Sequence, residues 1–234
     1  MKARPMLRES FPATPKPLPL QVLSEAELPT RFGDFRVVAF TPDEHGDEHL
    51  AIVRGDVSGL RDVPMRIHSE CLTGDVLGSL RCDCRDQLIA ALERIGREPA
   101  GVVLYLRQEG RGIGLGNKIR AYALQDQGHD TVEANHLLGF ADDQRDYRVA
   151  GDMVRALGIE SVRLMTNNPR KLEGMRAHGV PVSGRLAHEM APNPHNAEYL
   201  LTKQERSGHM LSLTQDRVAR MLEVSFDLRN ASNA

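Results

Sequence analysis

The chain predicts a mixed α/β fold: one compact domain in which mixed β-sheet is packed by helices and carries a cysteine-bearing loop. Three observations lead there. Gly101–Leu106 (GVVLYL) is an unbroken apolar run, the pattern of a strand buried on both faces. Arg148–Gly158 puts Val149, Met153, Ala156 and Leu157 on one helical face. Strand, loop and helix then alternate from Ser161 to His178, as in α/β architectures.

Taken in order, residues 1–27 read as a proline-rich, poorly ordered arm, and regular structure is expected to begin near Leu28. Phe35–Phe40 and His49–Arg54 are β-rich runs parted by TPDEHGDE, a turn-forming segment, so they read as an antiparallel pair. Met65–His68 is a short strand entering the cysteine stretch. Asp86–Ile95 carries Leu88, Ile89, Leu92 and Ile95 at helical spacing. After the Gly101–Leu106 strand, Lys118–Gln127 is a helix stopped by Gly128, and Ala134–Tyr147 reads as irregular. Ser161–Met165 is a strand, followed by Asn168 as N-cap, Pro169 at the first helical position and a helix over Arg170–His178. Residues 28–212 are the expected main domain. Residues 213–234 form an extension with one amphipathic piece, Arg217–Phe226.

Composition narrows the function. The 234 residues are 41% hydrophobic and 26% charged, with a formal net charge of −2. That balance is ordinary for a globular protein and argues against a strongly basic nucleic-acid binder, while leaving room for a local cationic pocket. Aromatics are only 4%, so stacking platforms for single strands are scarce. No apolar run is long enough to span a membrane, and the N-terminal stretch lacks a signal-peptide apolar core. With an odd number of cysteines, this gives the expectation of a reducing, cytoplasmic setting with no nucleic-acid or membrane partner.

All three cysteines lie in ECLTGDVLGSLRCDC, Glu70–Cys84. Clustered as C-x10-C-x-C, Cys71, Cys82 and Cys84 read as soft metal ligands, zinc first. Three ligands rather than four leave a position for water, the arrangement of a catalytic site. The second informative segment is RQEGRGIGLGNK, Arg107–Lys118. Its glycines let backbone N–H groups approach phosphate oxygens, and its arginines clamp such oxygens. TNNPRK, Thr166–Lys171, repeats the logic of strand, capped helix start and cations.

Together RIHSECLTGDVLGSLRCDC, LRQEGRGIGLGNKIRAYALQDQGHDTVEANHLLGF, DDQRDY, LMTNNPRK and the later GHML resemble GTP cyclohydrolase II, the first enzyme of riboflavin biosynthesis. The resemblance runs from about Leu28 to Leu211. It implies one Zn²⁺ held by Cys71, Cys82, Cys84 and water, GTP as substrate, and Mg²⁺ with the triphosphate. The implied products are formate, pyrophosphate and a diaminopyrimidinone ribosyl phosphate. A homodimer is implied as well.

The resemblance also assigns residues. Tyr122 is implied in ring opening, Asp143 as proton acceptor and Arg145 as nucleophile. A guanidinium stays protonated at neutral pH, so Arg145 as a stabiliser of phosphate charge stands beside the nucleophile role. Substrate contacts are implied at Arg66, Ile67, His68, Ser69, Glu70, Gln87, Glu109, Gly110, Arg111, Thr131, Thr166 and Lys171. Glu70 is a candidate proton shuttle, and a carboxylate such as Glu109 would suit the guanine edge. Arg85 and Gly116 depart from the family pattern, which more often has glycine and leucine there. The rivals are a relative that stops at the formamidopyrimidine and a non-catalytic zinc module, the latter needing a fourth ligand such as His68.

Overall fold

The computed structural model of the chain describes residues 20–43, 45–216 and 218–220. Most of the expected N-terminal arm and most of the Arg217–Phe226 piece lie outside the described residues. One seven-stranded mixed sheet organises the rest, in the order β1-β2-β3-β5-β4-β6-β7. β1 (Val22–Thr30), β2 (Gly33–Phe40) and β3 (Leu50–Arg54) form an antiparallel meander that pairs onto β5 (Gly101–Leu106). β4 (Val63–Ser69) then lies parallel to both β5 and β6 (Val162–Met165), and β6 is parallel to β7 (Val182–Leu186).

Burial follows from this order. The central strands β4 and β5 are covered on both faces, which explains the unbroken apolar run of β5. On one face α1 (Cys84–Gly96) packs Ala91 and Ile95 against Phe35, Val103 and Met165. On the other, α4 (Arg148–Ala156) and α5 (Pro169–Ala177) bring Val149, Met153 and Met175 against Val38, Met65, Ile67 and Leu104. No helix among the described residues is long and apolar enough to cross a membrane.

Five elements differ from the sequence expectation or were not anticipated by it. The boundary at Leu28 falls inside β1, which begins at Val22. β1 is an edge strand with almost no buried side chain, so no inward–outward alternation marks it. α3 (Thr131–Leu137) runs into the stretch read as irregular and begins at a capping box. Asp130 accepts from the N–H groups of Val132 and Glu133, and the Glu133 carboxylate returns to the Asp130 N–H. β7 is an edge strand interrupted by Gly184, and α6 (Ala197–Ser207) buries only Ala197, Leu200 and Ser207. The helix expected from Lys118 starts three residues earlier, as α2 (Leu115–Gln125).

The parallel strands β4, β5 and β6 all end on one side of the sheet. The segments leaving them are the cysteine loop, the glycine loop and TNNP. A crevice outside the carboxyl ends of such strands is where α/β sheets bind ligands.

Candidate active site

The cysteine loop leaves β4 at Ser69 and makes a single wide turn over Leu72–Val76. That turn is fixed by Asp75. Its carboxylate accepts from the Cys71 N–H at 3.0 Å, from the Tyr105 hydroxyl at 3.0 Å and from His68 Nε2 at 3.0 Å. Since the carboxylate only accepts, Nε2 of His68 carries the proton. The His68 ring stacks on Tyr105, and neither of its ring nitrogens joins the cluster formed by the three cysteine sulfurs.

The turn returns the chain so that the sulfurs of Cys71, Cys82 and Cys84 lie within 4.8 Å of one another, Cys71 and Cys82 being 3.7 Å apart. A glycine makes this convergence possible. A Cβ on Gly74 would sit 2.8 Å from the Cys82 sulfur and 3.1 Å from that of Cys71. Soft donors gathered around a spot cleared of side chain fit a thiophilic metal ion. Hydrogen bonds from Cys82, Cys84 and Lys118 drive the Cys71 thiol far below its ordinary pKa. The other two thiols are pushed up, Cys82 to about 11, by hydrogen bonding to Cys71 and by burial. A divalent ion would displace those remaining protons.

The glycine loop wraps the same spot. Gly110 and Arg111 both take left-handed φ of 62°, which turns the chain sharply into α2. Glu109 ties the two loops together. Its carboxylate accepts from Leu72 N–H at 2.7 Å, Gly110 N–H at 2.8 Å and Lys118 Nζ at 2.7 Å. On α2, the Tyr122 hydroxyl shares a 3.3 Å hydrogen bond with Thr73 Oγ1, which is 3.6 Å from the Cys71 sulfur. Burial pushes Tyr122 up to about 12, so it stays protonated across the neutral range.

Cations line the remaining walls. Arg66, on β4, donates to the Met165 carbonyl at 2.8 Å and to Gln87, leaving its buried Nε without a partner. Burial lowers its pKa to about 10. Lys171 is buried at the start of α5, where it donates to the Ile67 carbonyl at 2.8 Å. Burial, and then Arg66 and Arg145, push its pKa well down. Arg145 is gripped by Asp143 through bonds of 2.8 and 2.7 Å. Burial would raise the Asp143 pKa, but the Arg145 guanidinium outweighs it and holds the carboxyl below its ordinary range. Arg111 reaches Asp142 at 2.5 Å.

One cavity brings together all the sequence-expected residues except Ile67 and Asp143. The Ile67 side chain faces the core because β4 alternates, and only its carbonyl turns to the site. Asp143 stands behind Arg145. The cavity also contains residues that sequence reasoning passed over. Lys118 was visible only as one charge in the glycine loop. Asp83, between two cysteines, accepts from Gln87 at 2.5 Å and from Lys203 of α6 at 3.3 Å. His188 donates to the Gln87 carbonyl at 2.8 Å. Nothing local marks Lys203 or His188, since both arrive from more than a hundred residues away.

The chain is similar to known proteins over most of its length. The profile of the family described as GTP cyclohydrolase II matches residues 21–187. The GTP cyclohydrolase-2 of Picrophilus torridus is 55% identical over 191 residues, covering 82% of this chain and 99% of that one. The GTP cyclohydrolase-2 of Escherichia fergusonii is 55% identical over 196 residues, covering 84% and 99%. Among solved structures, a two domain 3,4-dihydroxy-2-butanone 4-phosphate synthase from A. baumannii matches with TM-score 0.37 and 20% identity, over 63% of this chain and 34% of that one. The matched span includes every residue of the cysteine loop, the glycine loop and TNNPRK, and the chain belongs to the GTP cyclohydrolase II family.

Proposed function

We propose that this enzyme hydrolyses GTP to 2,5-diamino-6-(5-phosphoribosylamino)pyrimidin-4(3H)-one, formate and pyrophosphate. One observation carries the reading: a three-sulfur cluster shares a cavity with the buried basic side chains Arg66 and Lys171 and the half-buried Arg145. A soft-metal site beside a polycation pocket suits a substrate with an electrophilic ring at one end and a polyphosphate at the other. Cys71, Cys82 and Cys84 would hold Zn²⁺, which when bound supplies the Lewis acidity that activates water near neutral pH.

The chain's own groups take the remaining work. Tyr122 is positioned through Thr73 beside the cluster and holds a proton at its Oη for the opening ring. Arg66, Arg111 and Lys171 receive the triphosphate, and its charge would restore the proton that burial discourages on Lys171. Arg145, aligned by Asp143, meets the α-phosphate. Its permanent charge favours stabilisation there, although the family resemblance assigns it as a nucleophile. Gln87, Thr131, Thr166, Ser69 and Glu70 complete the substrate wall. Mg²⁺ would ride with the triphosphate, held largely by phosphate oxygens and water. A homodimer is the proposed assembly, checked by light scattering.

The test is purified protein with GTP and Mg²⁺, with formate, pyrophosphate and the pyrimidine each quantified, and Cys82→Ser alongside. Stoichiometric release by the wild type, with loss of both zinc and formate in the variant, is expected. Formate release by Cys82→Ser at the wild-type rate would sink the thiolate-metal mechanism.

A further inference from the structure

We propose that Lys118 is a positioning residue that compensates charge on the metal centre, through an N–H···S hydrogen bond to Cys71. This rests on the zinc reading above. The motivation is a balance of charges. Three thiolates around a divalent cation leave a net negative centre, which is a poor setting for polarising water. A cation in direct contact with one sulfur offsets that charge at the ligand itself, and the effect is strong where water is excluded.

The geometry provides one such cation. Lys118 Nζ lies 3.0 Å from the Cys71 sulfur and is buried. Among the described residues it is the one charged side chain recorded donating to any of the three sulfurs. Its direction is set from behind by Glu109 Oε1 at 2.7 Å, a carboxylate itself pinned by two backbone N–H groups. The ammonium also lies 5.8 Å from the centre of the Tyr122 ring. Glu109, Lys118 and Cys71 thus form a relay from the glycine loop to the metal cluster. Donation to a ligating sulfur withdraws electron density from it, and partners of this kind tune metal sites.

The experiment replaces zinc by Co²⁺ and reads the sulfur-to-cobalt charge-transfer band in wild type, Lys118→Met, Lys118→Gln and Lys118→Arg. Without the donor the sulfur is more electron-rich, so the band of Lys118→Met moves to longer wavelength. Lys118→Arg holds the wild-type position, and Lys118→Gln falls between. For the zinc proteins, turnover in Lys118→Met falls about tenfold or more, with the KM for GTP changing far less. A simple packing loss would not move the band in this graded order. If Lys118→Met does not fold, Lys118→Gln decides alone, since it keeps a donor and lacks the charge. An unshifted band, or wild-type turnover beside a shifted one, overturns the proposal. The wild-type protein separates this from failure of the underlying reading: if that reading fails, the wild type itself shows no thiolate–cobalt band or releases no formate.

Discussion

Asp143 and Arg145 form a two-pronged pair, Oδ1 to Nε at 2.8 Å and Oδ2 to Nη2 at 2.7 Å, with both side chains nearly buried. Two parallel bonds fix the plane of the guanidinium as well as its place. Asp143→Asn removes the charge and one accepting oxygen, so Arg145 loses its orientation. Turnover is expected to fall about a hundredfold or more, the scale of a lost transition-state donor. Steady-state kinetics checks this, and melting should show destabilisation of roughly 3 kcal/mol or more from the uncompensated charge. Wild-type turnover in Asp143→Asn would remove the pair from the mechanism.

Gly74→Ala tests the convergence of the sulfurs. The added methyl would lie 2.8 Å from one sulfur and 3.1 Å from another. We expect weaker zinc binding, with an overpacking cost of about 1–3 kcal/mol. Competition with a chromogenic chelator measures it. Unchanged affinity would show that the loop yields without disturbing the cluster.

Tyr122→Phe removes one hydroxyl and nothing else. Ring opening is expected to fail, while zinc content stays at the wild-type level because Tyr122 touches the cluster only through Thr73. Formate assay and metal analysis on the same sample decide it. Full formate release would strike Tyr122 from the catalytic residues.

Stability should fall on the acid side of neutrality because of His188. Burial lowers its pKa from 6.5 to about 4. A depressed histidine stabilises the fold above its unfolded pKa, and this is lost as pH drops from 6.5 towards 4 while the unfolded chain takes up the proton. At pH 5 the loss is about 2 kcal/mol. His188→Gln keeps a donor for the Gln87 carbonyl and does not titrate, so its melting temperature should change less between pH 7 and pH 5. Parallel pH profiles would count against the assignment.

What could be read from the sequence was whatever is local. Cys71, Cys82 and Cys84 pointed by spacing to a cluster of soft donors, which their sulfurs form, and Asn168 with Pro169 declared a helix start, confirmed by the Asn168 side chain accepting from Arg170 N–H at 2.9 Å. β4 and β5 were legible because both their faces are buried. β1 and β7 were not, since an edge strand with solvent on its faces carries no apolar code. The Asp130–Glu133 capping box was a local signal for α3 that went unread. Lys203 and His188 left no local signal, because their meaning exists only once distant segments meet at the strand ends. Glu109 was legible as a carboxylate in the right loop, but not as the clasp between the two loops.

The contact between Asp83 and Lys203 spans 120 residues of chain. During synthesis the three thiols therefore emerge long before the helix that braces the segment between the last two of them. Non-local contacts of this kind form late in folding. Metal captured early by the nascent chain would be held in an unfinished cradle, and docking of α6 would then act as a seal that converts loose capture into retention. The rate at which zinc becomes resistant to chelators during refolding should accordingly follow the arrival of α6, not the formation of the sheet.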